Sequence, residues 1–157
     1  MLEIGKPGSA GTDRGERPVL QDGEVVATLQ ASNWRESATA AVGRQAWVFT
    51  RRGRTTVGRW ASEPEDAARL RARQTTWWSN TWVLDLEGTT VEVEVVSHWK
   101  GTHRYLIAGR TVAESGTTGG WSPRPTLTAE SELPLHHQVF MLWLELVLQR
   151  RNAAAAA

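Results

Sequence analysis

The side chains able to do covalent or metal chemistry are few in this sequence and poorly spaced for it. There is no cysteine, which removes thiolate nucleophiles, disulfides and cysteine–zinc sites. No G-x-S-x-G elbow occurs, and Ser79, Ser97, Ser115, Ser122 and Ser131 lack a local activating context. Four histidines remain. His136 and His137 are adjacent, so on a helix they leave the axis about 100° apart and rarely share one ion. His98 and His103 flank a turn, and neither pair has the H-E-x-x-H spacing. Gly116-Thr117-Thr118-Gly119-Gly120 lacks the following Lys-Ser/Thr of a phosphate loop and reads as a flexible corner. The acidic stripe Asp85, Glu87, Glu92 and Glu94 could attract a hard cation, but it lacks the carbonyl-rich loop that completes such a site. It reads as a solvated sheet face partnered by arginine. The expectation is a chain with no catalytic residue, no cofactor and no metal.

Binding chemistry is better represented. Arg69, Arg71 and Arg73, followed by Trp77 and Trp78, form a candidate anionic-ligand surface. Aromatic rings can sit at headgroup level while guanidinium groups contact phosphate. The competing reading packs one of the two tryptophans under a loop and lets the other cap the end of the fold. Arg51, Arg52 and Arg54 form a second basic turn, suited either to phosphate or to keeping a hairpin soluble. Of the 18 basic residues only Lys6 and Lys100 are lysine; a GC-rich genome explains that bias as readily as a need for planar forks. The net charge of +1 and the acidic stripe argue against nucleic acid as a partner.

The elements that must position these groups are mostly strands. Turn signals recur between alternating runs: Asp22-Gly23 before Glu24 to Leu29, Arg52-Gly53 between Gln45 to Arg51 and Thr55 to Trp60, and Gly88 between Trp82 to Glu87 and Val91 to Val95. Gly109 separates Tyr105 to Ala108 from Thr111 to Glu114, and Thr126 to Ala129 follows the glycine-rich corner. Residues 62–74 are ambiguous. Ser62-Glu63-Pro64-Glu65 resembles a helix start. Ala68, Leu70 and Ala72 alternate with Arg69, Arg71 and Arg73 in strand period, and a strand there would give the acidic stripe its cross-strand partners. The strand is the favoured reading. Residues 1–17 read as a flexible leader, 18–152 as one domain, and 153–157 as a frayed helix tail or an added scar.

The strongest single feature is a helix at about 134–151. Pro134 suits a first turn, and Leu135 to Arg151 contains no glycine or further proline. Val139, Phe140, Leu142, Trp143, Leu144, Leu146 and Val147 cover nearly its whole circumference. A helix apolar all round must be buried all round. Within it, Glu145 has three readings: it faces a mouth, pairs with an inward arginine, or marks an internal polar cavity. Gln138 and Gln149 lie near the same face, which favours a narrow wet stripe. The longest apolar run, Val139 to Leu148, contains Glu145 and is about half the length of a membrane span.

Strand hairpins from Pro18 to Ala129 lead to the Leu133-Pro134-Leu135 entrance. The apolar Val139-Phe140-Met141-Leu142-Trp143-Leu144 follows, with Arg150-Arg151 at the exit. In that order the chain resembles a small bacterial member of the tubby C-terminal-like superfamily, which includes the LURP-one-related proteins and the phospholipid scramblases. The resemblance spans about residues 18–151 and rests on element order rather than a short motif. The lipid-binding residues of eukaryotic tubby proteins and the calcium-binding loop associated with scramblases have no counterpart here. The resemblance implies a mainly β fold, an antiparallel barrel or strongly curved sheet enclosing the helix. It also implies, with the arginine/tryptophan surface, a non-enzymatic domain that binds anionic phospholipid or a membrane-associated partner. Met1 to Pro18 lacks an apolar core of signal-peptide length, so the expected location is cytoplasmic or membrane-peripheral. The alternative is a structural or protein-interaction module, oligomeric through exposed tryptophans.

Overall fold

The computed structural model describes every residue from Met1 to Ala157 except Trp77, Ser79 and Asn80. The described strands are β1 (Leu2–Ile4), β2 (Arg17–Gln21), β3 (Glu24–Ala31), β4 (Ser37–Val42), β5 (Gln45–Arg52) and β6 (Thr55–Trp60), then β7 (Leu70–Gln74), β8 (Trp82–Leu86), β9 (Thr89–Ser97), β10 (Thr102–Ile107), β11 (Arg110–Thr117) and β12 (Pro125–Ala129). The helix α1 (Leu135–Ala155) ends the chain. Each strand pairs antiparallel with the next, and β1 pairs with both β2 and β12, so the meander closes into a barrel.

The expected barrel around a hydrophobic helix is therefore the observed architecture. Its inner face follows the period of two: on β9, Val91 and Val93 are buried while Glu92 and Glu94 are exposed. Helix and wall are complementary in size. Ala27, Ala38, Ala40, Ala72 and Ala113 are buried on the wall, leaving room for Phe140, Met141, Leu142, Trp143 and Leu144, each at most 1% exposed. Phe49 on β5 packs against both Phe140 and Trp143, with ring centroids 5.3 and 5.2 Å apart. Gly58 lies beside it on β6, where an added Cβ would come within 3.1 Å of Phe49 and 3.2 Å of Leu70.

Two expectations are corrected. The leader at 1–17 is not wholly outside the barrel, because Leu2–Ile4 supplies the closing strand, with Leu2 opposite Leu127 and Gln21. Three residues are too few to show a period, yet Leu2 and Ile4 are buried and the backbone of β2 and β12 needs a partner. In the ambiguous segment the strand reading holds only from Leu70. Ser62 to Arg69 forms turns that return along β6, with Arg69 N–H bonded to Gly58 O at 2.8 Å. Helix α1 also runs on beyond 151 to Ala155.

Because the chain reverses at every connection, alternate connections share one end of the barrel. The entrance end, where α1 begins, carries the β2–β3, β4–β5, β6–β7, β8–β9 and β10–β11 connections. Three of these are two-residue turns with both residues at positive φ: Asp22-Gly23 (52° and 84°), Glu87-Gly88 (55° and 93°) and Ala108-Gly109 (48° and 78°). This mirror-image turn matches the twist of the flanking strands. The exit end carries the other connections, several of them longer. Its contacts hold the last turns of α1: Arg150 Nη1 donates to Ser32 O at 2.7 Å and Gln149 Nε2 to Pro123 O at 2.8 Å.

Phe140, Met141, Leu142 and Trp143 leave the helix axis at successive steps of about 100°, so together they sample its full circumference. Replacing each singly by alanine is expected to cost about 2–5 kcal/mol in urea unfolding. A near-neutral result at any of the four would place one helix face at solvent and contradict the enclosure.

Candidate functional site

The exit end gathers cations from three elements. Arg51 and Arg54 of the β5–β6 hairpin, Arg73 of β7 and Arg151 of α1 line a cleft of about 320 Å³ together with Trp82. The hairpin fits this role because Arg52 pairs with Thr55, leaving Gly53-Arg54 as a two-residue turn in which Gly53 takes φ 61°. Glu36 tempers the charge. It accepts from Arg151 Nε and Nη2 at 2.5 and 2.6 Å and from Arg51 Nη1 at 3.2 Å. These bonds, led by the one from Arg151, hold its carboxyl below the ordinary value despite partial burial. The Arg151 guanidinium also lies 5.5 Å from the Trp82 ring centroid. Arg54 and Arg73 make no ion pair among the described residues.

The structure thus divides the expected arginine surface. Arg69 sits at the entrance end, bound to Glu63 at 2.5–3.1 Å, 3.9 Å from Glu87, and stacked over Trp60 at 3.4 Å. Arg71 is 3.9 Å from Asp85 across the β7–β8 pair, as the cross-strand argument expects. Arg73 alone of the three reaches the cleft, where it joins two members of the second basic turn. Arg52, the third member of that turn, pairs with Glu65 at 3.0 Å. Trp78 is exposed, while Trp77 lies outside the described residues.

Trp78 has company that the sequence reading did not single out. Among the described residues the exposed tryptophans are Trp34, Trp78, Trp99 and Trp121, at 96%, 72%, 97% and 105% of full exposure. They occupy the β3–β4, β7–β8, β9–β10 and β11–β12 connections, all at the exit end. Exposed Arg35 and Lys100 adjoin two of them. The signal was in the order of the chain: in a meander, tryptophans on every second connection share an end.

A second cleft of about 400 Å³ opens at the same end, lined by residues including Trp99, Lys100, Gln149 and Glu145. Glu145 is 3% exposed. Its carboxylate accepts from Tyr105 Oη at 2.5 Å and sits 3.0 Å from His103 Nδ1 by either oxygen. The His103 backbone N–H is held in turn by Ser115 Oγ at 2.7 Å. Burial, together with the charge and hydrogen bond of Glu145, drives the Tyr105 phenol well above its ordinary value. Tyr105 is therefore a donor here and not a base. Glu145 faces a mouth and a polar pocket, with His103 and Tyr105 in place of an inward arginine. His103 and Tyr105 are two apart on one strand, so both point inward; that parity was the readable clue.

At the entrance end the adjacent histidines do not diverge. Nε2 of His136 and Nε2 of His137 both contact Oε1 of Glu87, the latter at 3.0 Å. Burial and the neighbouring His136 lower the His137 value, and the Glu87 carboxylate offsets them only in part. Glu87 is pushed up by burial but pulled further down by the two histidines.

Among the described residues no helix is long and apolar enough to cross a membrane. The outward wall positions Arg71, Asp85, Glu92, Glu94 and Glu114 are exposed, unlike the apolar outer band of a barrel that spans lipid. No family model, curated protein or solved structure significantly matches the chain.

Tyr105→Phe should cost about 1–3 kcal/mol in urea unfolding, since a buried carboxylate loses a donor. Glu36→Gln should cost about 1 kcal/mol at neutral pH. Because the folded value of Glu36 is depressed below 4.5, this contribution is full above the unfolded value and disappears as pH falls through the folded one. Wild type and Glu36→Gln should therefore converge in acid-limb unfolding curves; a constant gap would assign the loss to packing.

Proposed function

We propose that this chain is a non-enzymatic binding domain whose exit end rests on an anionic phospholipid surface. The observation that supports it most directly is the ring of exposed tryptophans on four connections of that end, interleaved with arginines. Indole rings favour the headgroup region, where one part is apolar and the other meets water. Four such rings spread around a barrel rim suit a broad surface better than a small ligand. The cleft lined by Arg51, Arg54, Arg73 and Arg151 supplies guanidinium forks matched to phosphate.

Kinship with the tubby C-terminal-like superfamily belongs to the same proposal. The barrel-around-helix plan is in keeping with it, and so is a membrane-peripheral role. The anionic leaflet that faces the cytoplasm is the surface such a domain would meet. A protein-interaction module using the same tryptophans is the second reading, and it too draws on their exposure.

Vesicle co-sedimentation separates these readings. Binding should require anionic lipid and weaken steeply with added salt. Each surface cation contributes about 1 kcal/mol, so Arg54→Ala/Arg73→Ala should lose about 10–30-fold. Arg69→Ala/Arg71→Ala, whose members already face carboxylates, should stay within about threefold. Glu36→Gln should bind more tightly, because Arg51 and Arg151 are released toward the cleft. Equal losses in the two double variants, or salt-insensitive binding, would reject the cleft as the anion site. Absence of vesicle binding together with concentration-dependent mass would favour the interaction module.

A further inference from the structure

The entrance end carries a second constellation that membrane docking does not use. We propose that Glu87, His136 and His137 bind one first-row transition-metal dication, zinc foremost, as a three-ligand centre open to water. One ligand atom from each residue is available, and all three atoms lie within 4.8 Å of one another. A tetrahedral zinc ion with bonds of about 2.0–2.2 Å needs donors about 3.3–3.6 Å apart. The present spacing therefore needs only small side-chain movements to admit an ion.

The three donors are held by two independent elements. Glu87 occupies the β8–β9 turn, where its own φ of 55° and that of Gly88 at 93° fix the chain between buried Leu86 and the next strand. His136 and His137 lie in the first turn of α1, which Pro134 opens and the barrel encloses. Adjacent helical residues normally diverge; here the carboxylate stands between them and both rings turn toward it. Their ring centroids are 4.4 Å apart at 74°.

Each ligand also has a support. The His136 ring stacks on buried Trp47 with centroids 5.2 Å apart and planes 14° from parallel. His137 is more than nine-tenths buried, so few rotamers are open to it. Arg69 Nη1 lies 3.9 Å from Oε2 of Glu87, leaving Oε1 toward the histidines. Such outer contacts orient ligands and tune their affinity. The indole N–H of Trp47 is buried without a hydrogen-bond partner among the described residues.

Donor chemistry selects the ion. Two imidazole nitrogens with one carboxylate suit zinc, copper or nickel, whereas calcium and magnesium prefer all-oxygen shells. His136 and Glu87 keep 30% and 35% of their side-chain surface exposed, so water can complete the coordination. Arg69 and the helix N-terminus add positive potential, which points to micromolar affinity rather than the far tighter binding of cysteine-rich sites.

Titration calorimetry of the full chain, treated with chelator and then given zinc alone, tests this directly. One zinc per chain is expected, with no heat from magnesium or calcium, and with a rise in unfolding temperature by mass action. His136→Gln lies at a partly exposed position and should fold normally while weakening zinc by at least about tenfold. Glu87→Gln should do the same, and His98→Gln should change nothing. X-ray absorption of the zinc-loaded chain should report two histidine ligands. Absence of saturable zinc binding, or binding that survives His136→Gln and Glu87→Gln, would overturn the site and leave a hydrogen-bonded cluster.

Discussion

Everything in this structure follows from a helix that has no polar side. From Val139 to Leu148 every residue of α1 is buried, including the four consecutive positions that sample its circumference. An ordinary two-layer packing would leave part of that surface wet. Only a closed wall covers a cylinder, and an α-helix with side chains is about 10–12 Å wide. Eight strands leave an interior that side chains alone can fill, whereas a wider barrel has room for an enclosed element. Twelve strands closed by β1 meet that requirement here, with several buried alanines on the wall.

Closure by a simple meander has a further consequence. It sorts connections by parity, so the two ends of the barrel are free to differ. The entrance end is built largely from tight mirror-image turns and is stitched by Glu87, His136, His137 and Arg69. The exit end carries most of the connections of more than two residues, and with them the exposed tryptophans and the arginine cleft. Interaction surfaces concentrate on such connections because the scaffold beneath them is rigid. The one charge carried through the apolar middle, Glu145, is satisfied by His103 and Tyr105 near the exit end. The buried helix thus remains unbroken while its polar residue reaches a mouth.

Much of this was legible from residue order. The alternation of Val91, Val93 and Val95 with Glu92 and Glu94 fixes a half-buried hairpin, and the run from Val139 to Leu148 fixes an enclosed helix. Glu145 stood out as a buried charge needing a partner. Other features depend on closure and could not be read locally. Leu2–Ile4 is too short for a period to show, and Ser37–Val42 is rich in alanine, a residue depleted in strands. The meeting of His136 and His137 depends on Glu87, forty-nine residues distant from His136 in sequence, arriving between them. The division of Arg69, Arg71 and Arg73 among three environments reflects position along β7: turn, mid-wall and mouth.

In the proposed docking, one end of the barrel, and not its wall, meets the membrane. Tryptophan emission with phospholipids brominated at different depths tests it most directly, in anionic vesicles. A blue shift on binding is expected, with strongest quenching by bromines nearest the headgroup, because in the proposed docking Trp34, Trp78, Trp99 and Trp121 enter that layer while Trp47, Trp82 and Trp143 stay inside the barrel. An unchanged spectrum, with iodide quenching as strong as in the free protein, in protein that does sediment with the vesicles, would place those tryptophans in water. The docking surface would then lie elsewhere on the barrel.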